Sequence, residues 1–187
     1  MFWPAPARIL EIDRAPAVLA AALPPRGVLV IGGNSGAGKS TLATAVLDLL
    51  GPAAVKWELE LAYLGWRGLE AGTRGFARAL GRALCHGRAD LTTFDWLAMR
   101  PGPAARLLHP ARLRGPVVIE GVGADVALGR YADVVVRVEA PGAERRRRVD
   151  NRDGYWGDLW QRWAADEQAQ RARAGGCTAR QQFLIYS

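Results

Sequence analysis

Short runs of β-branched and aliphatic residues alternate along the chain with longer stretches whose apolar positions recur at helical spacing. Run 28–31 has no polar interruption, which is typical of a strand buried on both faces of a parallel sheet. The runs predict five strands, at 28–31, 54–59, 117–119, 134–136 and 183–186. The stretches predict helices at 17–23, 41–50, 69–84, 144–151 and 156–174.

Strands that alternate with helices predict an α/β fold of three layers, with a parallel five-stranded sheet between two layers of helices. The length of 187 residues fits a single domain spanning 1–187. Segment 65–115 follows no sustained period because Gly, Arg and Pro recur throughout it, and 101–103 predicts a loop.

The chain is basic, since it has 25 basic and 18 acidic residues and therefore a net charge of +7. All but two of the basic residues are arginine, the exceptions being Lys39 and Lys56. Such an excess fits a nucleic acid, an anionic membrane or a phosphorylated small molecule as partner, and arginine suits phosphate bidentately. A sequence rich in Ala, Gly, Pro and Arg is also typical of GC-rich coding DNA, so the excess alone does not choose among these.

The lengths of the apolar stretches and the spacing of the cysteines indicate where the protein is located. No stretch approaches the roughly 20 apolar residues that span a bilayer, and apolar segment 15–23 follows acidic residues and ends at two prolines. The two cysteines, Cys85 and Cys177, form no CxxC pair, so neither a disulfide framework nor a structural zinc site is indicated. We therefore expect a cytoplasmic protein with no membrane association.

One motif carries specific chemistry. Residues 33–40 satisfy the pattern G-x-x-x-x-G-K-[ST] directly after a predicted strand and directly before a predicted helix. In this context the glycines allow consecutive amides to face phosphate oxygens, the lysine reaches the terminal phosphates, and the serine hydroxyl binds Mg²⁺. The motif predicts a P-loop NTPase fold with a nucleotide-binding site formed by Gly33, Asn34, Ser35, Gly36, Ala37, Gly38, Lys39, Ser40 and Thr41.

Two carboxylates follow predicted strands, and ligands of parallel sheets bind at the carboxyl ends of the strands. Glu120 ends the run 117–119 and is a candidate for the magnesium site, whereas Glu60 follows the strand near 54–59 and is a candidate base. Arg145, Arg148 and Arg152 share one helical face and predict a short Arg-rich lid at about 144–160. The competing interpretation for each carboxylate and for the arginines is a solvated surface.

Three tryptophans, Trp156, Trp160 and Trp163, also share one helical face. For these we expect a role in the core, since aromatic stripes on helices mostly pack inside proteins.

The ordered set of motifs resembles uridine kinase-like P-loop kinases, particularly the compact actinobacterial type. The resemblance runs from about 28 to 175 and rests on 33–40, Tyr63-Leu64-Gly65-Trp66-Arg67-Gly68-Leu69, Phe94-Asp95-Trp96, Val118-Ile119-Glu120-Gly121-Val122, Arg145-x-x-Arg148 and Arg152-Asp153-Gly154. The phosphate loop is specific only to P-loop nucleotide binders, and the later elements are specific to this kinase group as a set.

The resemblance implies roles for these residues, with ATP and Mg²⁺ as cofactors. Glu60 holds the place of the base on the substrate hydroxyl, Glu120 that of the magnesium carboxylate, and Arg145, Arg148 and Arg152 those of the lid arginines. The resemblance places the acceptor site within about 60–115, with Phe94, Asp95 and Trp96 in its loop. Tyr63 and Trp66 are further candidates for contact with the acceptor. The alternative role for Trp66 is to anchor a loop by hydrophobic packing.

The chain also departs from the family pattern. The family usually has Asp where Glu60 stands, and an Ala-Asp pair near its C-terminus where this chain has Thr178-Ala179-Arg180.

Three functions remain open at this point. The first is a kinase that transfers the γ-phosphate of ATP to a hydroxyl of a nucleoside or similar small molecule. The second is a nucleotide-binding regulator or slow NTPase without such an acceptor. The third is a nucleic-acid-binding protein, including a polynucleotide kinase, which we disfavour because no nucleic-acid-binding motif is present. The sequence leaves a homodimer open.

Overall fold

A parallel six-stranded sheet organises the chain in the computed structural model, which describes residues 7–154, 156–173 and 179–187. The strands of this sheet are β1 (Arg8–Leu10), β2 (Val28–Gly32), β3 (Val55–Glu58), β8 (Val117–Glu120), β9 (Val134–Glu139) and β10 (Gln181–Tyr186). Their order in the sheet is β1-β10-β9-β2-β8-β3, and every neighbouring pair is parallel.

The sheet separates two hydrophobic cores, and alternate residues of β2 belong to opposite cores. Val28 and Val30 pack with one cluster, while Leu29 and Ile31 pack with the other. Because both faces of β2 are covered, its sequence is apolar throughout, as expected for a central parallel strand.

Helices cover both faces of the sheet. The helices are α1 (Ala15–Ala22), α2 (Lys39–Leu50), α3 (Leu69–His86), α4 (Ala124–Leu128), α5 (Gly142–Asp153) and α6 (Asp158–Ala172). Helix α2 ends at Gly51, which adopts positive φ before Pro52, in agreement with the stop signal in the sequence. Within the described ranges, no helix combines the length and the apolar character that crossing a membrane requires.

Segment 88–108 forms two small antiparallel hairpins outside the main sheet. β4 (Arg88–Leu91) pairs with β7 (Ala105–Leu108), and β5 (Phe94–Asp95) pairs with β6 (Arg100–Pro101) between them. The predicted loop at 101–103 therefore begins inside a short strand. These hairpins lie over the end of the sheet at which the candidate site is found.

The α/β fold and its parallel sheet are confirmed, but the main sheet has six strands, one more than predicted. The additional strand, β1, has only three residues, of which Arg8 and Ile9 are exposed, so it carries no apolar run. Its pairing with β10 extends the sheet at one edge. Cys177, Thr178 and the end of the predicted helix at 174 lie outside the described residues, as does position 155 of the predicted lid.

Candidate active site

The phosphate loop connects β2 to α2, as the motif predicted. Gly33, Gly36 and Gly38 adopt positive φ values of 137°, 74° and 94°, which turn the backbone back on itself before the helix begins at Lys39. The loop thus meets the N-terminus of a 12-residue helix, where unpaired amides and the helix dipole favour an anion.

Lys39 lies in the first turn of α2 and is buried. Its Nζ donates to the carbonyl oxygen of Asn34 at 3.0 Å, which folds the side chain back over the loop. Burial lowers the pKa of Lys39, and the negative charges of Glu120, Glu167 and Glu60 oppose that shift. An arriving phosphate would supply the negative charge that this ammonium group otherwise lacks in direct contact.

Ser40 and Glu120 lie against each other at the carboxyl ends of β2 and β8. The Ser40 hydroxyl donates to Glu120 Oε1 at 3.0 Å, and Glu120 is itself buried. These oxygens fit Mg²⁺, which commonly takes one or two protein oxygens and completes its shell with phosphate and water. In 7–154, 156–173 and 179–187, no three His, Cys, Asp or Glu residues group as metal ligands.

Lys56, which the sequence did not identify as a site residue, lies beside Ser40 and Glu120. Lys56 Nζ lies 3.6 Å from Glu120 Oε1 and 2.5 Å from Glu58 Oε1. The hydrogen bond to Glu58 and the charge of Glu120 outweigh partial burial, so the pKa of Lys56 is raised. Its rarity could have singled it out, because only one other lysine occurs in the chain.

Glu60 lies on a single 3-10 turn, Leu59–Ala62, directly after β3. Its carboxylate faces the same cleft as Lys39, Ser40 and Glu120. Loss of hydration in this cleft raises the pKa of Glu60, while the positive charge of Arg152 counteracts the shift. The indole Nε1 of Trp96 donates to the backbone oxygen of Glu60 at 3.3 Å and fixes the turn.

The cleft encloses about 750 Å³, a volume suited to small ligands. Its phosphate-loop end is polar, and its far end is largely aromatic and apolar. Trp66 stands in the middle of the aromatic end, with ring centroids 5.4 Å from Trp96, 4.7 Å from Trp156 and 5.9 Å from Trp163. The remaining apolar lining residues are Tyr63, Leu97, Met99, Val122 and Leu159.

The three tryptophans that lie on α6 or just before it differ in burial and in contact with the cleft. Trp163 is buried in the core, as the helical stripe predicted, but it also lines the cleft. Trp156 and Trp160 are only half-buried, and Trp156 packs against the edge of the core, so the expected core role holds for it in part. Trp156 lines the cleft, whereas the guanidinium of Arg145 lies over the ring of Trp160.

The three lid arginines do not share one environment. Arg152 lines the cleft and forms a pair of 2.6 Å hydrogen bonds with Asp153. Arg145 Nη1 donates to the carbonyl oxygen of Ser35 at 3.1 Å, and Arg148 Nη1 donates to that of Gly36 at 3.3 Å. Arg148 also contacts the hydroxyl of Ser187, which in turn donates to the Ala37 carbonyl. Two of the arginines thus hold the backbone of the phosphate loop.

Several predicted residues lie beside the cleft without lining it. Asp95 accepts hydrogen bonds from the amides of Leu97 and Ala98, both at 3.0 Å, and so closes the tip of the β5–β6 hairpin. Phe94 packs edge-on against Trp96 with centroids 5.3 Å apart. Gly33, Asn34, Ala37, Gly38 and Thr41 form the loop and helix start, but the cleft wall is built from Ser35, Gly36, Lys39 and Ser40.

Sequence reasoning also missed two charged residues that shape the loop. Arg137 of β9 is buried, contacts Asn34 Oδ1 at 3.4 Å and pairs with Asp125 at 2.5 Å. Glu167 of α6 is buried and accepts a hydrogen bond from the Ser35 amide at 2.7 Å. An isolated charge within a strand or on a helix carries no sequence signal for such long-range contacts.

Comparison with known proteins places the fold. No protein-family model matches this chain, and no curated protein matches it in sequence. Among solved structures, a candidate fructose transport system kinase from Silicibacter sp. TM1040 is similar, with 23% identity, a TM-score of 0.60, and coverage of 92% of this chain and 98% of that one. The chain shares the fold of this structure.

A second solved structure also matches over most of this chain. A candidate uridine kinase from Bacillus stearothermophilus shares 22% identity, with a TM-score of 0.48 and coverage of 92% of this chain and 96% of that one. The fold of the first structure agrees with the α/β fold and parallel sheet that the sequence predicts.

Proposed function

We propose that this protein is an ATP- and Mg²⁺-dependent phosphotransferase that phosphorylates a hydroxyl group of a nucleoside-like small molecule. The observation that carries the proposal is that one cleft contains both a phosphate-binding end and an aromatic end, and that Glu60 lines the same cleft.

The phosphate end supports the binding of the triphosphate. Lys39 and the amides at the start of α2 supply positive charge, and Ser40 and Glu120 would hold Mg²⁺. When bound, this ion would offset the negative charge that develops on the phosphate oxygens. Arg152 lines the same cleft and supplies a further positive charge beside Glu60.

The aromatic end supports an acceptor with a flat, partly apolar body. Edges and faces of Trp66, Trp96 and Trp156 offer stacking surfaces, and Leu97 and Met99 of the hairpin tip extend them. A nucleoside combines such a ring with a hydroxyl group, whereas a bare polyol would leave this wall without a matching surface.

The reaction would be a direct displacement. The acceptor oxygen bonds to the γ-phosphorus as its proton passes to the Glu60 carboxylate, and the bond from the γ-phosphorus to the bridging oxygen breaks to release ADP. A base works best with a pKa near the working pH, and the raised pKa of Glu60 moves it in that direction. Positioning and charge stabilisation provide most of the rate in phosphoryl transfer.

A mass-spectrometric screen tests the proposal directly. The protein is incubated with ATP and Mg²⁺ and pooled nucleosides, nucleoside monophosphates, sugars and vitamins, and products that gain one phosphoryl group are sought. A phosphorylated nucleoside-like compound is expected. Release of ADP without any phosphorylated product would contradict the proposal and favour a regulator or slow NTPase.

Lys39→Met is the variant that links such a product to the site. Because it removes the buried charge at the phosphate end, we expect phosphotransfer to fall by about 10²–10³-fold, the cost typical of a lost charge-stabilising group. Arg26→Met is the matched control, since Arg26 is exposed and precedes β2 at the opposite edge of the sheet. Full activity of Lys39→Met would overturn the assignment of the site.

A further inference from the structure

Every polar group of Ser35 in the phosphate loop is bound by α5 or α6. Its amide donates to Glu167 Oε1 at 2.7 Å, its carbonyl accepts from Arg145 at 3.1 Å, and its hydroxyl accepts from Trp163 Nε1 at 2.8 Å. Two helices that follow the loop by more than a hundred residues in the chain thus define the conformation of this one loop residue.

Glu167 is an unusual group to find at this place. Its side chain is 1% exposed, and its negative charge opposes the lowering of the Lys39 pKa that burial causes. A buried carboxylate beside a site for phosphate would repel the ligand unless a positive charge balances it. Arg145 Nη1 supplies that charge at 3.4 Å from Glu167 Oε2, and its guanidinium is itself mostly buried.

We propose that Glu167 is a positioning residue for the phosphate loop and that Arg145 is its counter-charge, not a direct ligand of the nucleotide. The inference rests on the proposed function, because that function identifies the ligand as MgATP. Arg145 then supports nucleotide binding indirectly, because it keeps the loop bound to α6 without leaving an unpaired negative charge near the phosphates.

Amide hydrogen exchange of the ligand-free protein tests the first half. Glu167→Ala removes the acceptor of the Ser35 amide, so peptides that cover 33–40 should exchange faster than in the wild type. Glu167→Gln keeps an acceptor oxygen and should exchange much more like the wild type. Asp166→Asn is the matched control, since it removes an exposed charge from the neighbouring position of α6. Unchanged exchange in Glu167→Ala would overturn the positioning role.

A double-mutant cycle on MgATP binding, measured by calorimetry, tests the second half. Arg145→Met alone should weaken MgATP binding roughly tenfold, because it leaves the buried carboxylate unpaired. The same change in a Glu167→Gln background should cost less than about threefold, since no unpaired charge remains. An equal loss in both backgrounds would mean that Arg145 binds the nucleotide directly and would overturn its role as counter-charge.

Steady-state kinetics of Glu167→Ala distinguish a positioning role of Glu167 from a general loss of structure in the variant. Glu167→Ala should raise the KM for ATP far more than it lowers kcat, since the loop binds the nucleotide but Glu167 does not touch the acceptor. A large fall in kcat with an unchanged KM for ATP would contradict the inference. Failure of the wild-type protein to bind MgATP would overturn the proposed function, whereas the exchange measurement would still decide whether Glu167 holds the loop.

Discussion

The two largest influences on the pKa of Glu60 act in opposite directions. Loss of hydration raises its pKa above the ordinary 4.5, and the charge of Arg152 lowers it. A base must be deprotonated to act, so kcat/KM should fall as the pH drops through the pKa of Glu60. We therefore expect the acid limb of the pH profile to lie above pH 4.5. An acid limb at or below this value would show that another group, or none, titrates as the base.

Arg152→Met gives a directional test of the same pair. Removal of the positive charge withdraws the influence that lowers the pKa of Glu60, so the acid limb should move to higher pH. Glu60→Gln should abolish the limb and lower kcat by about 10²–10⁴-fold, the usual contribution of a general base. Asp48→Asn, an exposed change on α2, is the control that should leave the profile unchanged. A limb that stays in place in Arg152→Met would contradict the coupling.

At the scale of single residues, the sequence identifies chemistry better than contacts. Lys39 and Ser40 are readable because the motif fixes their spacing and their place between a strand and a helix. Arg145 and Arg148 were found as a helical face, but their partners in the loop are more than a hundred positions away. Which atom an arginine reaches depends on how α5 packs against the loop, and no local pattern encodes this packing.

The packing of α5 against the loop gives a prediction at the scale of elements. Gly36 has a φ of +74°, and a Cβ atom added to it would collide with the carbonyl oxygen of Arg145. Gly36→Ala should therefore push α5 away from the loop and destabilise the protein by about 1–3 kcal/mol. For a chain of this size the melting temperature should fall by roughly 2–10 °C.

Gly75→Ala is the matched control for Gly36→Ala. Gly75 lies in α3, and a Cβ atom there would meet nothing within 4 Å. The control should be neutral or slightly stabilising, since alanine favours helix more than glycine does. A thermal melt that shows no difference between the two variants would mean that α5 is not tightly seated on the loop.

The elements themselves were predictable where burial is complete and not where it is partial. β2, β8 and β9 are buried along almost their whole length, so their sequences are apolar runs that can be recognised directly. Exposed β1 and the strands of the β5–β6 hairpin contain Arg, Asp and Pro, because few of their side chains enter a core. The aromatic wall of the cleft depends on that hairpin, which explains why its shape could not be derived from periodicity.

At the scale of the whole molecule, the candidate site joins segments from most of the chain. The phosphate loop follows β2, Glu120 ends β8, Glu60 follows β3, and α5 and α6 cover the loop from the other side. A ligand that contacts all of these segments binds the folded state and not the unfolded chain. MgATP should therefore stabilise the protein globally, by about 2.7 kcal/mol at a concentration of 100 times its Kd.

This stabilisation should raise the melting temperature by roughly 5–10 °C, as followed by tryptophan fluorescence or calorimetry. ATP with excess EDTA should stabilise less, because Ser40 and Glu120 would lack the ion that links them to the phosphates. Lys39→Met should lose most of the shift, whereas Arg26→Met should keep it, since Arg26 lies at the amino edge of the sheet. A shift of equal size in Lys39→Met would place the nucleotide outside the phosphate loop, and the cleft would then have to be reassigned as a site for the acceptor alone.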